Sequence, residues 1–213
     1  MSNQSTSHLF MIEPESFYGN EQTSSSNHYQ VNEIKETSES IAEKALGEFY
    51  ALRDAIESRG IKVTSLKGSK DCPDHIFPNW FITFDDKTMQ IFSMMAPNRR
   101  TEKKPEMIEH LKETYKLTED MSNLESQNIF LESTSSMVFD RVNRCVYAGI
   151  SPRTSKEELE SWCSRNNYGL IMFETESHTG SSIYHTDVLM YVGTDMIGIC
   201  LDVIKPEYRE YVE

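Results

Sequence analysis

The sequence has few of the residue patterns that mark secreted, metal-binding or membrane proteins. Its four cysteines form no Cys-x-x-Cys pair, which argues against a disulfide scaffold and a zinc knuckle. Its six histidines show no pairwise spacing typical of metal ligands, and we predict neither a structural metal nor a cofactor. No apolar run approaches the length of a membrane span, so we expect no membrane partner.

Positive charge is also scarce. The chain carries 21 lysines and arginines against 34 aspartates and glutamates, a formal net charge of −13. A nucleic acid or an anionic membrane would be repelled over most of such a surface, so we expect neither as a partner. The start of the chain lacks the basic and apolar regions of a signal peptide, which predicts a cytoplasmic protein.

The 213 residues, 38% of them hydrophobic, are enough to bury a core. Residues 1–8 are polar and are predicted to form a flexible tail, and residues 9–213 are predicted to form a single domain. The clearest helix covers 40–59, where apolar residues recur at three- and four-residue steps. Further helices are predicted over 101–115 and 155–165, the second opened by a capping box.

The clearest hairpin joins the apolar runs 137–139 and 145–150 through a polar turn. Other strands are predicted at 9–12, 61–66, 80–84, 89–94, 168–173, 182–192 and 196–204. Strands, hairpins and helices recur in the same order, which indicates a modular α/β architecture rather than one doubly wound sheet.

Two polar segments outside the main hairpin are candidates for a site. The loop 72–79, broken by two prolines, holds Asp74 and Asn79, and a rigid loop keeps polar groups at a fixed geometry. A surface aspartate in a turn is the alternative. Arg99 and Arg100 lie where a strand passes into a helix, and such a pair can supply one bidentate carboxylate contact and one structural ion pair.

Charged residues also lie near the main hairpin and in the last third of the chain. Glu132 and Arg153 lie at the two outer ends of the hairpin, where they can form a site or a simple salt bridge. His185 and Asp187 fall inside the predicted strand 182–192, so their side chains would share one face. A histidine beside a carboxylate is typical of a general acid/base, with a structural histidine as the alternative.

Several of these motifs recur together in one known superfamily. They are 10–14 (FMIEP) with Asn20, Thr23, Asn27 and Gln30, then 74–79 (DHIFPN), 98–100 (NRR), 130–132 (FLE), 151–154 (SPRT) and 184–186 (YHT). Their order and spacing resemble the amidinotransferase and arginine deiminase (pentein) superfamily over nearly the whole chain. The branch they resemble most is that of the citrulline-utilisation hydrolases and the dimethylarginine dimethylaminohydrolases.

The resemblance implies an α/β propeller with pseudo-fivefold blades. It also implies hydrolysis of a guanidino or ureido C–N bond in a small arginine-like or citrulline-like amino acid. In this chemistry a cysteine thiolate attacks the carbon, an amine leaves, and water hydrolyses the covalent intermediate while a histidine moves the protons.

Matching the motifs one by one assigns roles to residues of this chain. His185 would be the general acid/base, and Glu132 would orient it or the substrate. The residues assigned to substrate binding are Asp74, Asn79, Arg99, Arg100, Arg153 and Asp187. Asp74 would contact the polar head, and Arg153 with one of the adjacent arginines would take the carboxylate. Asp187 is typical of arginine deiminases, so it would favour a cationic guanidinium.

The chain departs from the family pattern in ways that bear on activity. No cysteine stands in a Gly-rich C-terminal segment like the one that holds the family's nucleophile, so we expect a propeller incomplete at the C-terminus and an inactive chain. Ser133 and Ser135 replace glycines, which restricts the backbone. Glu13 stands where an arginine is usual, and the run that ends at Trp80 is one asparagine shorter.

These observations leave more than one function open. The first is a hydrolase of the family whose nucleophile lies outside this chain. The alternative is a non-catalytic amino-acid-binding or interaction protein that uses the same pocket, either as a homo-oligomer or with a completing chain. A product of gene erosion without a stable function is the third.

Overall fold

A computed structural model describes residues 4–30 and 36–213 of the chain. The strands are β1 (His8–Glu13), β2 (Lys62–Lys67), β3 (Phe81–Thr83), β4 (Thr88–Ile91), β5 (Lys116–Asp120), β6 (Val138–Asp140), β7 (Cys145–Gly149), β8 (Gly169–Phe173), β9 (Met190–Gly193) and β10 (Met196–Ile199). The helices are α1 (Glu21–Ser24), α2 (Ser38–Glu57), α3 (Pro97–Arg100), α4 (Pro105–Lys112), α5 (Ser133–Ser136), α6 (Lys156–Arg165) and α7 (Pro206–Val212). The fold is therefore mixed α/β.

The chain divides into two compact units. The first unit comprises residues 6–78 and 96–113, and the second comprises residues 79–95 and 114–213 with the start of the chain. In the first unit, β1 and β2 pair in parallel, in register from His8 opposite Lys62. The connection runs through α2, as a parallel pair requires. Ala45 and Phe49, four residues apart, are the buried positions of α2.

The second unit contains two three-stranded sheets with the same strand order. In each sheet an antiparallel hairpin is followed by a third strand that pairs in parallel with the second strand of the hairpin. The first sheet is β3-β4-β5 and the second is β6-β7-β8. A two-stranded antiparallel sheet, β9-β10, follows. The same strand arrangement therefore occurs twice in full and once in part.

A core of large side chains lies around the middle of the second unit. Phe92, Leu131, Leu159 and Trp162 are all fully buried there. The Trp162 indole donates its N–H to Oε1 of Gln90 over 2.8 Å, so its polar edge is paired inside the apolar cluster. A second cluster, which includes Phe173, Met190 and Ile204, packs around the later strands.

Most predicted elements are confirmed, but four predictions are wrong. Residues 182–192 do not form one strand, because Thr186–Val188 is a 3-10 turn and β9 begins at Met190. β10 likewise ends at Ile199, short of the predicted residue 204. The predicted helix 101–115 is shorter and begins at Pro105, whose fixed φ suits the first helical position.

The capping box predicted at the start of α6 does not form. Ser155 is the N-cap residue, but its side chain makes no capping hydrogen bond. Glu158 pairs instead with Arg165, Oε1 to Nη2 at 2.8 Å. Among the residues that the structure describes, no helix has the length and apolarity needed to cross a membrane.

Candidate active site

Three ionisable side chains from separate segments of the second unit meet in its interior. His185 Nε2 lies 2.6 Å from Glu132 Oε2, and Arg153 Nη1 lies 3.7 Å from the same oxygen. All three residues are at least 96% buried. We call these residues the Glu132–His185–Arg153 cluster. A buried arginine is stable only when its charge is paired, and the Glu132 carboxylate supplies the partner of Arg153.

Backbone groups fix the orientation of the Glu132 carboxylate. Its Oε1 accepts the backbone N–H of Met95 over 2.9 Å, while its Oε2 faces the imidazole. The Arg153 guanidinium lies over the ring of Tyr184, 4.7 Å from the centroid, and this contact neutralises part of the cost of burying a cation. Tyr184 belongs to the 184–186 motif, whereas none of the sequence motifs contains Met95.

Short polar side chains hold the three segments together. Ser136 Oγ accepts the backbone N–H of Glu132 over 3.0 Å and donates to the carbonyl of Arg153 over 3.0 Å. Thr186 Oγ1 donates to the carbonyl of Ser136 over 2.6 Å. The hydroxyls of Ser136 and Thr186 thus join the three chain segments that carry the cluster. Hydrogen bonds therefore position the cluster on every segment.

The backbone is strained next to Glu132. Ser133 has φ +44°, in the left-handed region that glycine adopts at little cost. Serine at position 133 was predicted to restrict the backbone, and the backbone angle at this position is indeed an unusual one. The Ser133 hydroxyl donates to the carbonyl of Phe81 over 2.7 Å, which offsets part of the strain.

His185 and Asp187 do not share the face of a strand, which corrects the prediction. His185 is buried just before the 3-10 turn, whereas Asp187 lies within the turn and is exposed. Asp187 Oδ2 accepts the hydroxyl of Ser135 over 2.8 Å. The carboxylate partner of His185 is Glu132, which is 53 residues away in the sequence and could not be found from local spacing.

A second polar cluster lies in the first unit. Asn20 Nδ2 donates to Asp74 Oδ2 over 2.8 Å, and Asn98 Nδ2 donates to Asn20 Oδ1 over 2.8 Å. Thr23 Oγ1 lies 3.4 Å from the same Asp74 oxygen, and Gln30 Nε2 donates to the carbonyl of Asn20 over 3.2 Å. We call this the Asn20–Asp74–Asn98 cluster. Three of the four polar residues singled out in segment 20–30 therefore meet there.

Arg99 is held by partners within the first unit. Its Nε lies 2.9 Å from Glu102 Oε1, and both side chains are almost fully buried. Its Nη2 also donates to the carbonyls of Phe77 and Asp74, over 2.5 and 3.3 Å. Arg99 therefore forms the structural ion pair that was predicted for one of the two adjacent arginines.

Two other residues, Arg100 and Asn79, are also predicted to bind substrate. Arg100 is half-buried, and Asn79 is buried in the second unit.

His75 is a buried residue for which the sequence motifs predict no role. Its Nε2 lies 3.0 Å from the carbonyl oxygen of Glu102, and no described residue bonds to its Nδ1. Burial lowers the pKa of His75 to about 4, against a weaker opposing effect of the hydrogen bond to Glu102. The ring is therefore neutral in the folded state near neutral pH, with Nε2 as the donor.

The four cysteines differ in burial. Burial raises the pKa of the Cys163 thiol to about 12, with a further contribution from Cys145. Burial and the nearby Asp140 also raise the pKa of Cys145. Cys72 is buried in the first unit, and Cys200 is exposed after β10. No described group of His, Cys, Asp and Glu side chains is arranged to hold a metal ion.

Comparison with solved structures places the fold among the penteins. The N-terminal domain of ArgZ, an arginine dihydrolase of Cyanobacteria solved as a cysteine mutant with its substrate, is 14% identical with a TM-score of 0.74. The match covers 97% of this chain and 71% of that domain. An AgrE cysteine mutant with L-arginine is 14% identical, with a TM-score of 0.73, over 97% of this chain and 29% of its own.

Dimethylarginine dimethylaminohydrolase (DDAH) from Pseudomonas aeruginosa, solved as a cysteine mutant with citrulline, gives a TM-score of 0.66 at 16% identity. That match covers 95% of this chain and 73% of the other. No curated protein sequence matches the chain. Residues 13–213 match the family described as N,N dimethylarginine dimethylhydrolase, eukaryotic. The chain therefore belongs to this dimethylarginine dimethylhydrolase family, within the pentein superfamily.

Proposed function

We propose that the Glu132–His185–Arg153 cluster is the proton-transfer and substrate-orienting part of a hydrolase site. The reaction is cleavage of a guanidino or ureido C–N bond in an arginine-like or citrulline-like amino acid. The observation that carries the proposal is the buried contact of 2.6 Å between His185 Nε2 and Glu132 Oε2. It is supported by family membership and by the arginine and citrulline bound in the solved relatives.

Each side chain has a role that its surroundings support. Glu132 is fixed by the N–H of Met95, so it can hold the imidazole of His185 in one orientation. His185 can then give a proton to the departing amine and take one from the attacking water. Arg153 supplies a buried positive charge that suits the α-carboxylate of an amino acid. The propeller architecture is part of the same proposal, supported by the recurring strand order of the second unit.

The reaction needs a cysteine thiolate as its nucleophile, and none of the four cysteines of this chain suits that role. A thiolate must attack the guanidino or ureido carbon, and the thiols of Cys163 and Cys145 have raised pKa values. Cys200 is exposed and Cys72 is buried in the first unit. We therefore propose that the isolated chain binds the amino acid without turning it over. This observation favours the second candidate function, a non-catalytic amino-acid-binding protein.

Isothermal titration with arginine and with citrulline tests the proposal. The chain is expected to bind at least one of them, and Arg153→Met is expected to weaken binding at least tenfold because the buried cation is lost. Arg59→Met is the matched control, since Arg59 is exposed. Absence of binding by the folded chain would refute both candidate functions. Release of ammonia from arginine or citrulline by the purified chain would refute the proposal that it is inactive.

Asp187 provides a test of the preference for one head group. Its carboxylate is exposed beside the buried cluster and suits a cationic guanidinium better than a neutral ureido group. Asp187→Asn removes the charge and keeps a group that can interact with the Ser135 hydroxyl. We expect the ratio of arginine to citrulline affinity to fall severalfold. An unchanged ratio would show that Asp187 does not face the head group.

A further inference from the structure

A cavity of about 450 Å³ lies in the second unit and shares no lining residue with the candidate active site. Two hairpin turns supply its charged residues. Asp85 and Asp86 come from the turn between β3 and β4, and Arg141 and Arg144 come from the turn between β6 and β7. The volume falls in the range of small-molecule sites, roughly 300–1,000 Å³. We call this cavity the turn cavity.

Arg144 is held at the turn cavity by groups that carry no full negative charge. Its Nε and Nη2 donate to the carbonyls of Asn167 and Asn166, over 3.0 and 2.6 Å. Its guanidinium lies over the ring of Tyr168, 4.4 Å from the centroid. These contacts fix the side chain and leave its positive charge without a counterion. Among the described residues its Nη1 has no hydrogen-bond partner, so one edge of the guanidinium can bind a ligand.

Arg141 brings a second guanidinium to the turn cavity. Its Nη1 lies 3.4 Å from the carbonyl oxygen of Thr83, and its guanidinium lies 5.4 Å from the centroid of the Phe139 ring. No carboxylate in residues 4–30 or 36–213 forms an ion pair with Arg141 or Arg144. The chain has 34 acidic residues against 21 lysines and arginines, so two arginines without an ion pair at one cavity indicate a place for an external anionic group.

The opposite sign of charge comes from the other turn. Asp86 Oδ1 accepts the hydroxyl and the backbone N–H of Thr88, over 2.6 and 3.0 Å. The hydrogen bond from the hydroxyl is the main reason why the pKa of Asp86 is lowered, so this carboxylate is ionised near neutral pH. Asp85 precedes it and is exposed. Since neither aspartate pairs with Arg141 or Arg144, the turn cavity keeps the two signs of charge apart.

Aromatic rings and a buried amide complete the lining. Phe84 and Tyr168 line the turn cavity and pack against the core of the second unit. Gln90, which is 6% exposed, accepts the indole N–H of Trp162 and donates to Oδ1 of Asn166, each over 2.8 Å. The amide is already engaged within the protein, so the two rings provide the neutral contact surface for a ligand.

We propose that the turn cavity is a second ligand site, for a small zwitterion in which an apolar spacer separates a carboxylate from an ammonium group. Arg141 and Arg144 bind the carboxylate, and Asp85 and Asp86 bind the ammonium group. The four side chains sum to zero charge, which matches a ligand of zero net charge. A simple anion would add a like charge beside the aspartates, and a simple cation would do the same to the arginines. The proposal does not rest on the proposed function, because none of these four residues belongs to the hydrolase site.

Isothermal titration of the full chain with ε-aminohexanoate, γ-aminobutyrate, hexanoate and hexylamine tests the chemistry of the ligand. The two ω-amino acids carry both charges at different spacings and have no guanidino or ureido group. We expect saturable binding of at least one of them. Hexanoate and hexylamine each lack one charge and are expected to bind at least about tenfold more weakly than the better ω-amino acid. No saturable binding of either ω-amino acid, or equal binding of a compound with one charge, would overturn the proposal.

Arg141→Met tests the positive side of the turn cavity. It is expected to weaken binding of the ω-amino acid at least about tenfold, because a charge-assisted hydrogen bond is lost. Arg209→Met is the matched control, since Arg209 is half-buried like Arg141 and donates to the carbonyls of Ile204 and Asp202. Equal weakening by the two variants would overturn the assignment of the site. Circular dichroism confirms that each variant is folded.

Asp86→Asn tests the negative side. It removes the charge and keeps an oxygen that can accept the N–H of Thr88, and we expect binding to weaken severalfold. Asp120→Asn is the matched control, because Asp120 Oδ1 likewise accepts the N–H of a residue two positions on, Ser122, over 2.9 Å. Wild-type affinity in Asp86→Asn would overturn the assignment of a zwitterion.

Arg153→Met separates the turn cavity from the candidate active site. Arg153 lies outside the lining of the cavity, so we expect this variant to bind the ω-amino acid within about twofold of the wild type. Loss of binding in Arg153→Met would place the zwitterion in the candidate active site and overturn the proposal. Titration with arginine and citrulline reports on the proposed function, so either proposal can fail while the other stands.

Discussion

His75 makes the stability of the first unit depend on pH in a way that can be calculated. Burial lowers its pKa from 6.5 to about 4 in the folded chain. Between these two values the unfolded chain binds a proton and the folded chain does not, so stability falls as the pH falls. The loss begins near pH 6.5 and is complete near pH 4.

The two pKa values give the size of the effect at any pH in this window. At pH 5 the difference in proton binding amounts to about 2 kcal/mol relative to pH 7.5, and below pH 4 it approaches about 3 kcal/mol. The residue is 1% exposed, so solvent screens little of this cost. It is a large share of the stability of a typical domain.

Urea unfolding of the wild type and of His75→Gln at pH 7.5 and pH 5 measures the effect. The glutamine amide can donate to the Glu102 carbonyl as His75 Nε2 does, but it does not titrate. We expect the wild type to lose about 2 kcal/mol more than the variant between the two pH values. His110→Gln is the control for the substitution itself, because it replaces a part-exposed histidine and keeps His75. Parallel losses in the wild type and His75→Gln would refute the reasoning.

Four further substitutions, at three positions, test the packing of the second unit by chemical denaturation. Ser133→Ala keeps the strained backbone and loses the hydrogen bond to Phe81, so we expect it to cost about 1 kcal/mol. Ser133→Gly relieves the strain and should be less destabilising, and the reverse order would contradict the assignment of strain. Trp162→Phe should cost about 2 kcal/mol because Gln90 loses a buried donor, whereas equal stability would mean that solvent replaces it. Leu159→Ala removes a fully buried side chain and should cost about 2–5 kcal/mol, with a smaller loss indicating that the core collapses around it.

Elements with strong local patterns could be predicted from the sequence. The periodicity of α2 and the two apolar runs of the β6-β7 hairpin are local signals, and both elements are confirmed. β5 was not predicted, since its sequence KLTED places leucine alone among polar residues. α7 was also missed, because it is short and follows a run of apolar residues that favours a strand.

The prediction of the site residues depended more on the family resemblance than on the spacing of residues in the sequence. The contact between His185 and Glu132 joins segments 53 residues apart, and only the family motifs brought the two residues into one prediction. Local reasoning placed Asp187 beside His185 because it assumed a continuous strand, and the 3-10 turn separates them. The roles of Asn79 and Arg100, like the single domain over 9–213, stay predictions. Long-range pairing of side chains has no local sequence signal, so the spacing of residues alone could not predict the contact between His185 and Glu132.

The two buried arginines allow a structural role to be separated from a binding role. Arg99 pairs with Glu102, three residues away, and donates to carbonyls of the loop that holds Asp74. Arg99→Met leaves the buried Glu102 carboxylate without this partner, so it should cost about 3–5 kcal/mol of stability. Arg153 shares one oxygen of Glu132 with the closer His185, at 3.7 against 2.6 Å.

Loss of Arg153 leaves Glu132 paired with His185, so its cost in stability should be the smaller of the two. If Arg153 binds the carboxylate of the amino acid, Arg153→Met should instead raise the Kd at least tenfold at a temperature where both variants are folded. Arg99→Met should leave the Kd of the folded fraction within about twofold. Denaturation and calorimetry on the same preparations measure both quantities. A larger Kd effect for Arg99→Met would assign the carboxylate to Arg99 and make Arg153 the structural residue.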